Sequence, residues 1–384
     1  MAEQAQIAII GAGPTGCATA IYLARAGVDV LLIDRTDPPT PGVGESLLPV
    51  CAPILAELGV DMHDFLPKHG AVFTRADDSV RFPFSEAMRT EYSYAWQTPR
   101  DQLDARMRAA ARSAGARFLR ANITDMQLPG TLVTDAGTVT ADFIADAGGR
   151  GQLLARKLDI TQPHPWLKNI AQHGWFTGVQ PQAPEVAGDI VLAAYEGGWF
   201  WFIPFADDTW SVGAVTTPSG PKGSKRFELA LERCEAAQVR LATATQVGSF
   251  QGTGTISVSS SVFHGEGWAL IGDSATFLDP IFSSGVALGL HAAKGFAESY
   301  LAGGSLDSWE ADCRAAVAAF ELVVKCYYDD IFLDIALADP SRHHPTARKA
   351  IISLLAGDVF DPEFTAPKRF GARFDSIHRM VTRP

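Results

Sequence analysis

The sequence predicts an α/β fold in three parts: a parallel-sheet domain, an antiparallel sheet inserted into it, and a helical C-terminal region. Three observations predict it. A strand–glycine turn–helix–strand pattern opens the chain. Aromatic and β-branched runs dominate residues 160–262, and helical periodicity prevails over 306–381.

The opening unit is the most specific. Ile7-Ala8-Ile9-Ile10 is a short apolar run suited to a buried parallel strand, and residues 28–33 form a second one ending at Asp34. Between them Gly11-Ala12-Gly13-Pro14-Thr15-Gly16 leads into a helical stretch over 17–26. Gly11 permits the sharp turn, Gly13 lets a pyrophosphate approach the backbone, and Gly16 lets helix and strand pack closely. The helix N-terminus offers free N–H groups to phosphate oxygens. Asp34 stands eighteen positions after Gly16, where an acid can accept hydrogen bonds from a ribose. This is a Rossmann-like dinucleotide site.

The net charge of −11 argues against nucleic acid or anionic membranes as main partners. No apolar run reaches the roughly 18 residues that a bilayer span requires. The first six residues lack a basic stretch, and Cys17, Cys51, Cys234, Cys313 and Cys326 are odd in number and scattered. Reduced thiols in a cytoplasmic protein follow as the expectation. No cysteine or histidine spacing suggests a metal site, and His343-His344 beside Pro345 reads as a surface turn.

Farther along, 35–44 is a Pro/Thr/Gly-rich loop leading to Gly44-Glu45-Ser46-Leu47-Leu48-Pro49, with Glu45 and Ser46 expected at or near the start of a helix over 50–58. Short β-like runs at 72–73, 80–82 and 92–96 suggest a small hairpin region at about 70–97. Thr98-Pro99-Arg100 introduces an amphipathic helix over 103–114. Strands around 116–119, 127–134 and 138–145 end in Asp146-Ala147-Gly148-Gly149, a second glycine turn. Within the aromatic stretch, 227–242 reads as one helix. A buried strand at 268–271 then precedes Gly272-Asp273-Ser274-Ala275, Asp279-Pro280-Ile281-Phe282-Ser283-Ser284-Gly285 and a long apolar helix from Val286. Beyond 306 the helical pattern is broken at Pro340, Pro345, Pro362 and Pro367.

Together the glycine fingerprint with Asp34, Pro99-Arg100, Asp146-Ala147-Gly148 and Gly272-Asp273 with Asp279-Pro280 resemble the FAD-dependent aromatic hydroxylase superfamily. Trp199-Phe200-Trp201-Phe202-Ile203-Pro204 and the Gly44-Glu45-Ser46 loop are similar to signatures of flavin-dependent halogenases. The 279–285 run is similar to phenol- and pyrrole-directed members, whereas tryptophan-directed members carry a glutamate where Phe282 stands. The resemblance implies an FAD-binding domain over 1–160 and 263–305, a substrate sheet over 161–262, and a helical region over 306–384. It implies cofactor contacts at Gly11, Gly13, Pro14, Thr15, Gly16, Asp34, Arg35, Glu45, Ser46, Arg100, Asp146, Ala147, Gly148, Gly272, Asp273, Pro280, Ser284, Gly285 and Val286. Candidate catalytic residues are Glu45, Lys68, Trp199, Trp201 and Ser283.

The implied chemistry is oxidation of an electron-rich phenol, indole or pyrrole, free or bound to a carrier or protein, through a flavin C4a-hydroperoxide. A pocket lined by Trp199, Trp201, Phe205 and Phe282 would exclude water. The resemblance also implies a lysine shortly after a G-x-x-F strand, to carry or orient hypohalous acid. Here Gly70-Ala71-Val72-Phe73 is followed by Thr74 and Arg75, and the nearest lysine, Lys68, precedes the strand. The expectation therefore leans to hydroxylation. Halogenation, maturation of a protein tryptophan towards a quinone, and an FAD-dependent reductase activity stand as alternatives. FAD would be reduced by NAD(P)H directly or by a separate flavin reductase.

Overall fold

The structure, a computed structural model, describes residues 3–89, 91, 93–254, 257–338, 345–361, 373–374 and 377–379. Tyr92, His343-His344 and the breaks at Pro340, Pro362 and Pro367 lie outside them.

The first layer is an eight-stranded sheet. Glu3–Ile10 lies at its centre, flanked by parallel partners Val30–Asp34 and Gly137–Asp146, with Arg117–Arg120 and Trp268–Leu270 farther out. Both faces are covered, so Ile7 to Ile10 are all buried and no alternation is needed. Helix Pro14–Arg25 starts with proline at a position whose N–H would be orphaned anyway. It packs against helix Ser284–Ala302 so closely that a Cβ on Gly289 would lie 2.1 Å from Thr15 Oγ1.

The second layer is a seven-stranded sheet in the order Thr245–Thr253, Ile170–Thr177, Trp210–Thr216, Gly198–Pro204, Ile190–Tyr195, Gly70–Arg75, Asp78–Pro83. The expected separate hairpin is therefore its far edge. Ile190–Tyr195 pairs parallel with Gly70–Arg75, so the sheet is mixed. A two-stranded hairpin alone is marginal in water, and the open edge of Ile190–Tyr195 supplies the missing partner.

Alternation along Gly198–Pro204 sorts its aromatics. Trp199, Trp201 and Ile203 face the first domain's core, whereas Phe200 and Phe202 join a second core. Each such buried ring contributes roughly 2–3 kcal/mol. Phe227 covers the second core, stacking 5.9 Å from Phe176 and edge-on 5.3 Å from Phe200. Its expected single helix is two, Ser224–Arg233 and Glu235–Leu241, because Cys234 between them is extended (φ −120°, ψ 94°).

The C-terminal region is helical over Asp307–Tyr328, Ile331–Leu337 and Pro345–Leu355. Trp309 Nε1 donates to the Ala292 carbonyl (2.9 Å), fastening the first of these to Ser284–Ala302. Among the described residues no helix is long and apolar enough to cross a membrane.

Candidate active site

Three glycines shape the first turn as the spacing predicts. Gly11 has φ +91°, and a Cβ there would lie 2.6 Å from the Ala147 carbonyl oxygen. A Cβ on Gly16 would lie 1.9 Å from the Gly11 oxygen. Only glycine fits either place. Gly13 differs: a Cβ there would clash with nothing, its nearest neighbour being a guanidinium nitrogen of Arg100 at 3.8 Å. That gap beside Pro14 and a helix N-terminus suits a pyrophosphate. Thr15, by contrast, turns its hydroxyl towards Gly272 and Gly289, where it packs two helices together.

Asp34 is engaged inside the protein. Its carboxylate accepts from Ala12 N (2.8 Å), Thr36 N (2.9 Å) and Thr36 Oγ1 (3.1 Å), and Arg108 approaches to 3.3 Å. Buried Arg108 also donates to the carbonyls of Ala12 and Thr36. No sequence motif marks Arg108, yet it locks the glycine turn. Arg35 is exposed beside it.

Asp146, expected at the cofactor, is engaged within the protein. Its buried carboxylate accepts from Gly148 N (2.8 Å), Leu154 N (2.8 Å) and Ser274 Oγ (3.0 Å). It thereby ties both glycine-rich turns, at Ala147-Gly148 and at Gly272, to the end of its strand. Asp273 contrasts with it. Among the described residues no group hydrogen-bonds its carboxylate, which lies 3.6 Å from where a Cβ on Gly285 would stand. Burial raises its pKa to about 6, opposed by Arg150 and Arg100. An unpaired carboxylate above a helix start fits a ligand hydroxyl.

The helix start itself is built by Asp279, whose Oδ1 accepts from Ile281 N at 3.1 Å, with Pro280 opening a short turn. Ser283 then adopts the left-handed region (φ 54°) and passes the chain into Ser284, Gly285 and Val286. Left-handed serine is strained backbone of the kind concentrated at functional sites.

Glu45 and Ser46 do not begin a helix, which starts at Cys51. They lie in an extended strap pinned to 96–98: Thr98 N donates to the Glu45 carbonyl (2.6 Å), Leu47 N to that of Trp96 (3.0 Å), and Ser46 bridges Gln97. These cross-chain bonds satisfy the backbone that a helix would otherwise have used. Arg100 braces the strap through the Val43 carbonyl (2.6 Å) and its own ion pair with Asp104 (3.0 Å). The Val286 side chain lies 3.8 Å from a Cβ position on Gly44. Strap, glycine turn, Asp273 and helix start thus converge around Arg100.

Glu45 is buried, with Oε1 accepting from Trp175 Nε1 (2.8 Å) and Oε2 unpartnered among the described residues. Burial pushes its pKa up to about 7 against the opposing pull of Ser211, Trp175 and Arg100. Lys68 is buried too. Its Nζ donates to the Leu47 carbonyl (3.0 Å) and lies 5.3 Å from the Phe84 ring centroid. Burial lowers its pKa to about 7. Its residue precedes the Gly70–Arg75 strand, but the side chain reaches the strap. Arg75, standing where a lysine is expected, instead pairs with Asp334 at 2.7 Å.

Trp199 and Trp201 lie 6.0 Å apart on one sheet face. Trp199 Nε1 donates to Tyr328 Oη (3.0 Å), which donates to Asp279 Oδ2 (2.8 Å). Trp201 Nε1 donates to Ser211 Oγ (3.1 Å), its ring lying over Gly213. Beside them Phe73, Phe282, Tyr327 and Phe332 form an aromatic cluster. His173, unmarked by any motif, is wedged 5.8 Å from both Trp175 and Trp201.

A Rossmann-like domain whose glycine turn, orphaned Asp273 and helix start converge on Arg100, packed against an aromatic sheet, is the architecture of an FAD-dependent oxidoreductase. Comparison with known proteins agrees. The chain belongs to the flavin-dependent halogenases: the family profile described as tryptophan halogenase matches residues 6–86 and 77–331. It is 28% identical to the 1H-pyrrole-2-carbonyl-[peptidyl-carrier protein] chlorinase of Pseudomonas fluorescens, over 92% of this chain and 89% of that one. It is 29% identical to the tryptophan 2-halogenase of Chondromyces crocatus, over 90% of this chain and 69% of the relative. In fold it resembles a flavoprotein/dehydrogenase from Cytophaga hutchinsonii (TM-score 0.90, 24% identity, 99% of both chains). The flavin-dependent brominase Bmp2 is similar (TM-score 0.85, 24% identity, 98% of this chain and 99% of that one). The lean towards hydroxylation finds no support in these relatives, and the halogenase alternative fits better. FAD is the cofactor.

Proposed function

We propose that this chain halogenates an electron-rich aromatic substrate of the pyrrole or phenol class, free or held on a carrier. The observation that carries this reading is Lys68, a buried amine delivered to the strap beside the helix start. It supports halogenation over oxygen transfer, since a lysine from before the strand would serve where none follows it. The pyrrole-carrier chlorinase among the relatives, and Phe282 where tryptophan-directed members have glutamate, favour pyrrole or phenol over tryptophan.

Residues of the chain divide the work. Gly13 with Pro14 and the first turn of the opening helix would hold the pyrophosphate. Asp273 would accept from a ribityl hydroxyl, and Ser284, Gly285 and Val286 would present backbone N–H groups to the ring. When bound and reduced, FAD supplies, with O₂ and halide, an electrophilic halogen as hypohalous acid. Lys68 would hold the hypohalous acid by a hydrogen bond from its ammonium to the oxygen. The aromatic carbon would then bond to halogen as the halogen–oxygen bond breaks, the oxygen leaving as water with a proton from the Lys68 ammonium, which regains one when the ring proton is passed on. Glu45, with a free Oε2 and a pKa near neutrality, is the proposed proton acceptor. Trp199, Trp201 and Phe282 keep water from the transfer. A separate flavin reductase is the proposed source of electrons.

Turnover of candidate pyrroles and phenols with reduced FAD, O₂ and bromide, followed by mass analysis, tests this reading. A bromine isotope pair supports it, and a gain of one oxygen restores hydroxylation.

A further inference from the structure

Among the described residues no carboxylate forms an ion pair with the buried Lys68 amine. The structure holds one close to its strand. Lys68 ends the short strand Leu66–Lys68, which pairs antiparallel with Ala95–Gln97. Against it packs the turn at 188–189. A Cβ on Gly188 would fall 1.9 Å from the Pro67 carbonyl oxygen, so the two backbones touch, and Gln97 Nε2 donates to the Gly188 carbonyl (2.9 Å). Asp189 is buried in this contact. Its Oδ1 accepts from the backbone N–H of His69, the residue after Lys68 (3.0 Å), and its Oδ2 accepts from Arg81 Nε (2.7 Å). Gly70 makes room for it, since a Cβ there would lie 2.9 Å from Oδ2.

We propose that Asp189 is a positioning residue for Lys68, fixing the strand end that carries the amine and supplying the negative charge that keeps it able to hold a proton. The inference rests on the assignment of Lys68 to hypohalous acid only for its catalytic consequence. The physical reason is burial. Removal from water disfavours the charged form of the amine, and its carbonyl partner and the Phe84 ring offset that only in part. Of the ionisable groups acting on Lys68, Asp189 opposes that loss first and the Cys51 sulfur second. Arg81, paired to the same carboxylate, limits how much of its charge reaches the lysine. Asp189 thus binds Arg81 and the His69 backbone directly and acts on the Lys68 amine at longer range, so removing its charge and removing Arg81 should change that pull in opposite directions.

Two variants test this with opposite signs. Asp189→Asn keeps an acceptor for His69 N–H but removes the charge. Arg81→Gln leaves the charge and removes its competitor. The protonation midpoint of Lys68 is read in the whole protein from its ¹³Cε resonance, assigned by its absence in Lys68→Met. Asp189→Asn should move the midpoint down by about one pH unit, and Arg81→Gln should move it up. The limb of the halogenation pH profile that Lys68 governs should follow in both. An unchanged midpoint in Asp189→Asn, or shifts of the same sign in the two variants, overturns the proposal. General unfolding cannot mimic the pair, because it would bring both midpoints towards that of an exposed lysine. Should Lys68→Met still halogenate, the functional assignment fails while the resonance still decides the role of Asp189.

Discussion

The amine of Lys68 donates to the carbonyl of Leu47 at 3.0 Å, joining the end of the short strand Leu66–Lys68 to the strap over Glu45 and Ser46. The residues are 21 apart in sequence, and the contact exists only because two short extended segments share the neighbour Ala95–Gln97.

Replacing this amine should separate flavin binding from halogen transfer. Lys68→Met keeps the volume and removes a buried cation, so the protein should fold and retain FAD. Halide incorporation should fall by at least a hundredfold, while reduced-flavin-dependent oxygen uptake continues. Flavin absorbance and product mass, measured on one preparation, check both halves.

The glycines of the first turn should fail in different ways. Gly16→Ala places a Cβ 1.9 Å from a backbone oxygen, so the turn itself must open and the thermal midpoint should drop. Gly13→Ala meets only the Arg100 guanidinium, at an ordinary contact distance of 3.8 Å. It should leave the apoprotein midpoint unchanged yet weaken FAD binding by about tenfold or more, since the methyl occupies the pyrophosphate gap. Calorimetry of the apoproteins and fluorescence titration with FAD distinguish the two.

Glu45 gives a signed pH effect. Burial raises its pKa from 4.5 to about 7. Below the unfolded value the carboxyl is protonated in both states. As pH rises to about 7 the unfolded chain releases its proton first, so stability is lost across this window, by an amount of order 3 kcal/mol. Glu45→Gln removes that share, and its Oε1 still accepts from Trp175. The thermal midpoint of the variant, relative to the unaltered protein, should rise between pH 5 and 7 and level off above. A gap independent of pH contradicts this.

Tyr328→Phe should leave Trp199 Nε1 and Asp279 Oδ2 each short of a partner within a buried network. The expected cost is about 1–3 kcal/mol, read as a lower thermal midpoint. Turnover should suffer as well, because Asp279 builds the turn that carries Ser283.

These cases show what the sequence could and could not reveal. The glycine spacing was legible because each glycine answers a local backbone demand that recurs wherever a dinucleotide meets a helix. The alternate tryptophans were legible as one face of a strand. Lys68 looked misplaced because its reach depends on a three-residue strand and on pairing with residues 95–97, neither visible locally. Glu45 and Ser46 passed for a helix start because the bonds that hold them extended come from Trp96, Gln97 and Thr98. Arg108 carried no signal, since its partner Ala12 lies 96 residues away. The hairpin over residues 70–83 passed for an insertion because parallel pairing with Ile190–Tyr195 leaves no trace in either segment.

The central claim is that the chain moves halogen, not oxygen, onto an aromatic ring. The direct measurement is the intact mass of a pyrrole or phenol product after aerobic turnover with reduced FAD and an equal mixture of bromide isotopes. The account predicts two product peaks of near-equal height, about two mass units apart, and their loss in Lys68→Met. A single product heavier by one oxygen, unaffected by bromide or by that substitution, would contradict it.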